Sequence, residues 1–324
     1  MPRNSPQPSA TGSDTVYWLP RGTAQILHSG TETDNFALAL QRCVGTGEDG
    51  VFDQRRQKLV LDHLAELAAR LAKERLGVSD IVEAYCDRVR RLAQNCAWYS
   101  ELCGAVTWRM VVGLGRPGIL EGSGMTVHPL YGFPYVPGST VKGLCRTAAL
   151  EETWEHHSGV ISRSLRKASA SLEAFDQALG RGALRDLTKA DVIDSGARAS
   201  VARLERVFGS QRQKGSVTFF DAVPEGFPKL DVDILNVHYP DYYQGDEPPS
   251  DWQDPRLVYF LAVSRGARFL FCVGARRAHN DDGECVVRWL TAALTEWGIG
   301  GKRSAGYGAF DIPNRPSQSN RLAT

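Results

Sequence analysis

Residues 128–146 read His-Pro-Leu-Tyr-Gly-Phe-Pro-Tyr-Val-Pro-Gly-Ser-Thr-Val-Lys-Gly-Leu-Cys-Arg, a loop punctuated by glycine and proline that runs into a helix. Pro137-Gly138-Ser139 reads as a turn ending in an N-cap, because a serine oxygen can accept from the free amides of a helix start. Beyond it Val141, Leu144, Cys145 and Ala148 fall on one face, so the helix is expected to lie against a sheet. Lys142 and Arg146 are four apart and share another face. A lysine in the first turn opposes the helix dipole. Its place is explained if an anion binds there too, since the free N–H groups of a helix start favour phosphate. Gly143 would let a backbone come close. A tight loop with a solvated Lys/Arg pair fits the same residues.

On the N-terminal side, residues 105–112 are rich in β-branched and apolar side chains and predict a strand. Further back, Val60, Leu64, Leu67 and Leu71 follow 4-3-4 spacing. Val82, Tyr85, Val89 and Leu92 repeat a helical pattern after a break at Gly77-Val78-Ser79. Two amphipathic helices follow from this, with the basic run Arg88 to Arg91 as a solvated face. On the C-terminal side, residues 151–206 predict a charged helical insertion with a loop near 188–196, and strands are expected at 216–222 and 230–237. The stretches 257–263 and 268–273 flank Ser-Arg-Gly-Ala and predict a hairpin. A helix is expected from about Gly283 to Trp297, with Val286, Trp289, Leu290, Ala293, Leu294 and Trp297 on one side. Asp281 with Glu284 would cap it and Gly298 would end it. A last strand spans 307–312. This order of strand, helix, several strands, helix and strand predicts an α+β fold with a ferredoxin-like core carrying inserts. The expected organisation is a tail over 1–14, one domain over 15–313 and a second tail over 314–324. Within that domain, 15–100 is mainly helical and 151–206 is the helical insertion.

Composition narrows the function. The 324 residues carry 38 basic and 37 acidic side chains, a formal net charge of +1, so any phosphate binding must be local rather than by bulk charge. A hydrophobic share of 42% excludes whole-chain disorder. Seven scattered cysteines form no CxxC pair and read as reduced thiols of a cytosolic protein, not as a disulfide framework or zinc site. The longest apolar runs, 257–263 and 269–275, fall far short of the roughly 20 residues of a membrane span. The polar N-terminus lacks the apolar stretch of a signal peptide. A soluble cytoplasmic protein without membrane, metal or cofactor is expected.

A second informative segment is Gly298-Ile-Gly-Gly-Lys-Arg-Ser-Ala-Gly-Tyr-Gly308, five glycines in eleven residues around Lys302 and Arg303. Such a loop can cradle a sugar-phosphate backbone with amides and cations. It is not a Walker A loop, because Arg303 separates Gly301-Lys302 from Ser304 and a helix precedes it. It fails GxGxxG because Arg303 stands at the third glycine. A flexible turn before an inner strand is the plain alternative. Asp231, Asp233, His238 and Asp241 approach a metal-like set, but the aspartates alternate along a strand and read as structure. His156-His157 lacks ligand spacing. His128 is an acid–base candidate without an evident partner, or a loop-ordering histidine.

Gly113-Leu-Gly115, Leu120-Glu121, His128-Pro129, the run 132–146 and the terminal glycine loop together resemble the RAMP superfamily of CRISPR proteins. Residues 215–224, with Asp233, His238-Tyr239 and Tyr242-Tyr243, are similar to the sixth-subunit family of the type III-B Cmr effector complexes. The resemblance runs from about Trp18 to Ile312. It implies an RRM-related ferredoxin-like fold in a ribonucleoprotein that carries a CRISPR guide RNA and recognises complementary target RNA in antiviral defence. It also implies a non-catalytic subunit near the 3′ end of the guide, capping the row of backbone subunits beside other Cmr effector subunits. Target cleavage would reside in a different subunit. On this reading the RNA contacts are His128, Ser139, Lys142, Gly143 and Arg146 from the first segment, and Gly300, Gly301, Lys302, Arg303 and Gly306 from the second. Two other readings are a metal-independent endoribonuclease using His128, and a cap that touches only proteins.

Overall fold

A computed structural model describes residues 19, 21–28, 33–45, 54–73, 77–115, 124–165, 171–182, 195–237, 256–277, 280–313 and 317–320. The expected tail at 1–14 lies outside the described residues. In chain order the helices are α1 (Arg21–His28), α2 (Phe36–Gln41), α3 (Gln54–Leu71), α4 (Val78–Gln94), α5 (Gly138–Leu165), α6 (Leu172–Gly180), α7 (Ser195–Phe208) and α8 (Asn280–Ala292). The strands are β1 (Trp98–Val106), β2 (Val217–Phe219), β3 (Val223–Pro224), β4 (Leu230–Val237), β5 (Arg256–Val263), β6 (Arg268–Ala275), β7 (Phe310–Asp311) and β8 (Ser317–Asn320). The chain packs as two compact units, Met1–Ala84 with Trp108–Tyr135 and Pro224–Ala267, and Tyr85–Thr107 with Val136–Val223 and Arg268–Thr324.

In the first unit, α3 buries Leu61, Leu64, Leu67, Ala68 and Leu71 and packs on the β4–β5 pair. That antiparallel ladder runs from Leu230 opposite Val263 to Val237 opposite Arg256. The expected stripe is displaced at its start, where Leu61 rather than Val60 turns inward. Asn35 caps α2 by accepting from the Leu38 N–H, and Phe36 is fully buried against the edge of Phe227. Helix α4 is divided between the two units at Ala84 and Tyr85; its buried stripe is Val78, Val82, Cys86, Val89 and Ala93, whereas Leu92 is 48% exposed. Small side chains hold the inward positions there, so weighting by large apolar residues misplaced the face.

The second unit is organised on β1. Its residues alternate strictly between buried and half-buried, from Trp98 to Val106. It pairs antiparallel with β6, Trp98 opposite Ala275 through Ala105 opposite Arg268. With β2 on the far side of β6 and β7 on the far side of β1, the sheet order is β2-β6-β1-β7, and each of these neighbours is antiparallel. With α6, α7 and β3 set aside as additions, β1-α5-β2-β6-α8-β7 follows the β-α-β-β-α-β order of ferredoxin-like units. Residues 108–135 and 224–267 are excursions from it that contribute to the first unit. Helix α5 buries Val141, Leu144, Cys145 and Ala148, the face expected from its spacing, and packs against α7 and α8.

Several expectations are corrected. The strand expected at 105–112 lies earlier, at β1. Met110, Val111 and Val112 are buried but non-repetitive, apart from one bridge of Met110 to Val263, so their apolar character reports burial rather than pairing. The hairpin expected around Ser264–Ala267 does not form. The turn exists, with Gly266 at φ 81, but β5 pairs with β4 while β6 pairs with β1 and β2. The last strand shrinks to Phe310–Asp311, and Ser317–Asn320 adds to β1 opposite Trp98–Glu101. Residues 188–194 of the expected loop lie outside the described residues, and Ser195 and Gly196 open α7. The last helix starts at Asn280, which puts Asp281 and Asp282 inside its first turn rather than at the cap. It passes into a π-helical turn, Ala293–Trp297, stopped by Gly298 at φ 72 as expected.

None of the seven cysteines forms a disulfide, and burial pushes the thiols of Cys145 and Cys272 far up, which makes them unreactive. No helix among the described residues is long and apolar enough to cross a membrane.

Two carboxylates, Asp282 and Glu152, fasten helices of the second unit. Asp282 is 4% exposed; it accepts from Arg206 Nε at 2.5 Å and Nη2 at 2.7 Å, and from Arg203 Nε at 3.2 Å. Asp282→Asn is expected to cost about 1–3 kcal/mol, read as a lower urea midpoint; an unchanged midpoint contradicts the tie. Arg288 grips both carboxylate oxygens of Glu152, and this holds the Glu152 carboxyl below its ordinary range. A depressed carboxyl stabilises the fold above its unfolded pKa and loses that contribution as pH falls through the folded one. Arg288→Gln should therefore flatten the loss of stability on acidification, measured as Tm against pH, and an unaltered profile contradicts this.

Candidate nucleic-acid interface

Helix α5 begins where Val136 bridges Ala222, with backbone bonds of 2.9 and 2.8 Å. That register sets the Asp221 carboxylate at the helix start, where Oδ1 accepts from the Gly138 N–H at 2.6 Å. Only glycine fits at 138, since a Cβ would run into the Phe219 carbonyl. The amides of Thr140 and Val141 turn back to the Pro137 carbonyl at 2.8 and 3.1 Å. The free helix-start amides expected from the sequence are thus largely occupied, and an anion of the chain's own already sits there. Ser139 lies inside the first turn with an exposed side chain, so it is not the cap.

One turn along, Lys142 is half-buried. Burial and then the charge of Arg146 push its pKa down, and it has no acidic partner among the described residues. A desolvated cation next to another cation is held at a cost that an incoming anion would relieve. Arg146 is engaged differently, in an ion pair with Asp176 of α6 and a 3.5 Å bond to that residue's carbonyl. Gly143 faces open space, with nothing within 4 Å of a Cβ built there.

The glycine loop is cinched at its base. Ile299 N–H donates to Gly308 O at 2.8 Å, and Gly308, at φ 77, has no room for a side chain against the Ile299 carbonyl. A Cβ on Gly298 would lie 2.7 Å from the Tyr307 carbonyl oxygen. Between these ends, Arg303–Ala305 makes one 3-10 turn closed by Gly306 at φ 84. Arg303, Ser304, Ala305 and Gly306 are exposed, while Gly300, Gly301 and Lys302 are half-buried. Lys302 adopts the left-handed conformation at φ 56, alone among the described non-glycine residues. Its Nζ stands 5.2 Å from the ring centre of buried Tyr307. That backbone costs an L-residue about 1–2 kcal/mol. Helix α5 packs on the Ala293–Trp297 turn that leads into this loop.

His128 belongs to the first unit. Its Nδ1 accepts from the amides of Leu130 and Tyr131 at 3.3 Å each, and its ring stacks on Tyr131 and Phe133 with centroids 4.8 and 5.1 Å away. This is the loop-ordering arrangement. In the same unit Arg109 bonds Asp233 at 2.7 Å and approaches Asp231 at 3.5 Å, which gives the alternating aspartates a structural partner. His238 and Asp241 lie outside the described residues. Asp221, Asp176 and Tyr307 shape the candidate site but carry no signal of it in the sequence. The two aspartates act across long separations, and no local spacing signals them.

The family model of the RAMP superfamily matches residues 119–311, more than half of the chain. The chain belongs to the RAMP superfamily. Among curated proteins, this RAMP chain is 32% identical over 227 residues to "CRISPR system Cmr subunit Cmr6" of Pyrococcus furiosus, covering 62% of this chain and 64% of that protein. The match thus spans less than two thirds of the relative's length. Among solved structures, the chain is similar to one described as a cryo-EM structure of the type III-B Cmr-beta bound to cognate target RNA, with 20% identity, 83% of this chain, 78% of that one and a TM-score of 0.48. It is also similar to the crystal structure of Cmr6 from Pyrococcus furiosus, with 28% identity, 67% of this chain, 98% of that one and a TM-score of 0.40. Both segments singled out for phosphate contact fall inside the stretch that matches the superfamily.

The loop geometry makes an opposed pair of predictions. Gly308→Ala should cost about 2–4 kcal/mol through its collision with backbone, whereas Lys302→Gly should gain about 1 kcal/mol by relieving the left-handed residue. Denaturant midpoints of the two variants check this, and a destabilised Lys302→Gly protein contradicts it.

Proposed function

We propose that this chain is a non-catalytic, RNA-binding subunit of a type III-B CRISPR ribonucleoprotein. It contacts the guide RNA toward its 3′ end and caps the row of backbone subunits, in a cytoplasmic complex that recognises complementary target RNA. The observation that carries the reading is the state of two lysines. Lys142 is desolvated beside Arg146 with no acidic partner among the described residues, and Lys302 occupies a strained backbone position in a glycine-cinched loop. The first gains from a bound anion, and the second holds a cation on a backbone fixed by its glycine neighbours. Identity to a curated Cmr subunit supports the choice of complex.

The chemistry is positional. Phosphate oxygens would meet Lys142, Lys302, Arg303 and the exposed turn at 303–306, while Gly143 and Gly306 leave the RNA backbone room to approach. Such contacts fix register and leave sequence reading to base pairing. The engagement of His128 Nδ1 by two amides and of Asp231 and Asp233 by Arg109 supports a subunit without its own cleavage chemistry. A second reading, a cap that touches only protein, draws on Asp221 at the α5 start and Asp176 on Arg146, which already answer two anion sites.

Lys142→Ala combined with Lys302→Ala is expected to weaken retention of co-purified guide RNA. It should lower the slope of log affinity against log salt by about 1.4, two phosphate contacts at roughly 0.7 each on a single strand. Filter binding across a salt series measures it; unchanged slope and affinity contradict the reading.

A further inference from the structure

The second unit carries another cationic surface, outside both segments discussed above. Helix α6 ends at Gly180, followed by Arg181 and by Gly182 at φ 67. Where α7 ends, Gly209 at φ 79 opens the turn Ser210-Gln211-Arg212-Gln213-Lys214, which an antiparallel bridge between Gly209 and Lys214 closes. The turn is docked on the end of α6. Gln211 N–H donates to the Gly180 carbonyl at 2.9 Å, and a Cβ on Gly182 would stand 3.1 Å from Arg212 Cδ, so the arginine stem lies over that glycine. A Cβ on Gly209 would sit 2.7 Å from the Gln213 carbonyl oxygen, and one on Gly215 2.7 Å from the Phe208 carbonyl carbon. The turn is therefore built rigidly, with glycine where backbones touch.

Its outward face carries three cations and two amides, and no carboxylate. Arg181, Gln211, Arg212, Gln213 and Lys214 are all exposed. Arg181, Arg212 and Lys214 make no ion pair among the described residues, and Glu205 is turned to the Ser210 hydroxyl at 3.2 Å. The position of Arg181 at a helix C-terminus suits the dipole, but that explains neither Arg212 nor Lys214. The exposed large apolar side chains among the described residues, Leu38, Leu59, Ile81, Leu92, Trp108, Leu130, Ile234 and Leu235, all lie elsewhere in the chain. A protein partner would want an apolar centre, whereas cations and amide donors on a rigid turn suit phosphodiester oxygens. The corner also adjoins the interface already described. Gly180 is one turn beyond Asp176, the partner of Arg146, about 6 Å along α6.

We propose that the corner formed by Arg181, Arg212 and Lys214 is a second phosphate-binding surface for RNA, which continues the track begun at α5. The inference rests on the RNA-binding reading, and the test separates the two. Fluorescence anisotropy of the full chain with a 30-nucleotide oligouridylate, run over a salt series, is the readout. R181Q/R212Q/K214Q should lower the slope of log affinity against log salt by about 2 and weaken binding about tenfold or more at low salt, with an unchanged melting curve. R181K/R212K should keep the wild-type slope. A wild-type slope in the triple glutamine variant, with the slope still reduced in K142A/K302A, overturns the corner and leaves the α5 and glycine-loop reading standing. Unchanged RNA binding together with loss of co-purifying protein subunits assigns the corner to a protein partner and likewise overturns it. No binding by the wild-type chain removes both.

Discussion

The antiparallel pairing of Trp98–Ala105 with Arg268–Ala275 is the constraint on which the second unit depends. Strand β6 is buried along nearly its whole length, β2 adds to its outer edge, and β7 and β8 add to β1. Close approach is built into both strands. A Cβ on Gly104 would press on Ile312 and Phe310 at 3.1 and 3.2 Å, and one on Gly274 would meet Cys96 Sγ at 2.7 Å. The paired strands are far apart in sequence, which makes the pairing slow to form. Loop-closure entropy, however, grows only slowly with length. The excursions at 108–135 and 224–267 can therefore carry a unit of their own without loosening the sheet that they leave.

Near-neutral net charge conceals a division of labour among the cations. Arg203 and Arg206 are spent on Asp282, Arg288 on Glu152, Arg90 on Glu101, Arg109 on Asp231 and Asp233, and Arg146 on Asp176. These pairs fasten helices and strands. Lys142, Arg303 and the corner at Arg181, Arg212 and Lys214 have no acidic partner among the described residues. A chain with a formal charge of +1 can thus present cations at a few places while the rest of its surface stays balanced.

Local pattern was legible and long-range pairing was not. The buried face of α5, the bounds of β4 and the stop at Gly298 follow from spacing, alternation and a glycine at positive φ, all readable within one window of sequence. The two lysines stand out in the sequence for the same reason, one by its place in a first turn and the other by its glycine surroundings. The missed hairpin had a correct turn, but the hydrogen-bond partners of β5 and β6 are chosen by strands far away. Likewise Asp221 reaches α5 because Ala222 bridges Val136, and Asp176 reaches Arg146 because α6 folds back on α5. Both change the candidate site, since they fill anion positions that the sequence left open. Leu92 shows the remaining weakness, where a helical face was assigned by bulk while Cys86 and Ala93 took the inner positions.

Ultraviolet crosslinking of the chain purified with its native co-expressed partners, followed by sequencing of the attached RNA and mapping of the crosslinked peptides, tests the RNA-contacting role most directly. Short CRISPR guides attached toward their 3′ ends, on peptides containing Lys142 or Lys302, are the expected result. Guide RNA and partner subunits that co-purify while this chain never crosslinks would contradict it and leave the chain a protein-contacting cap.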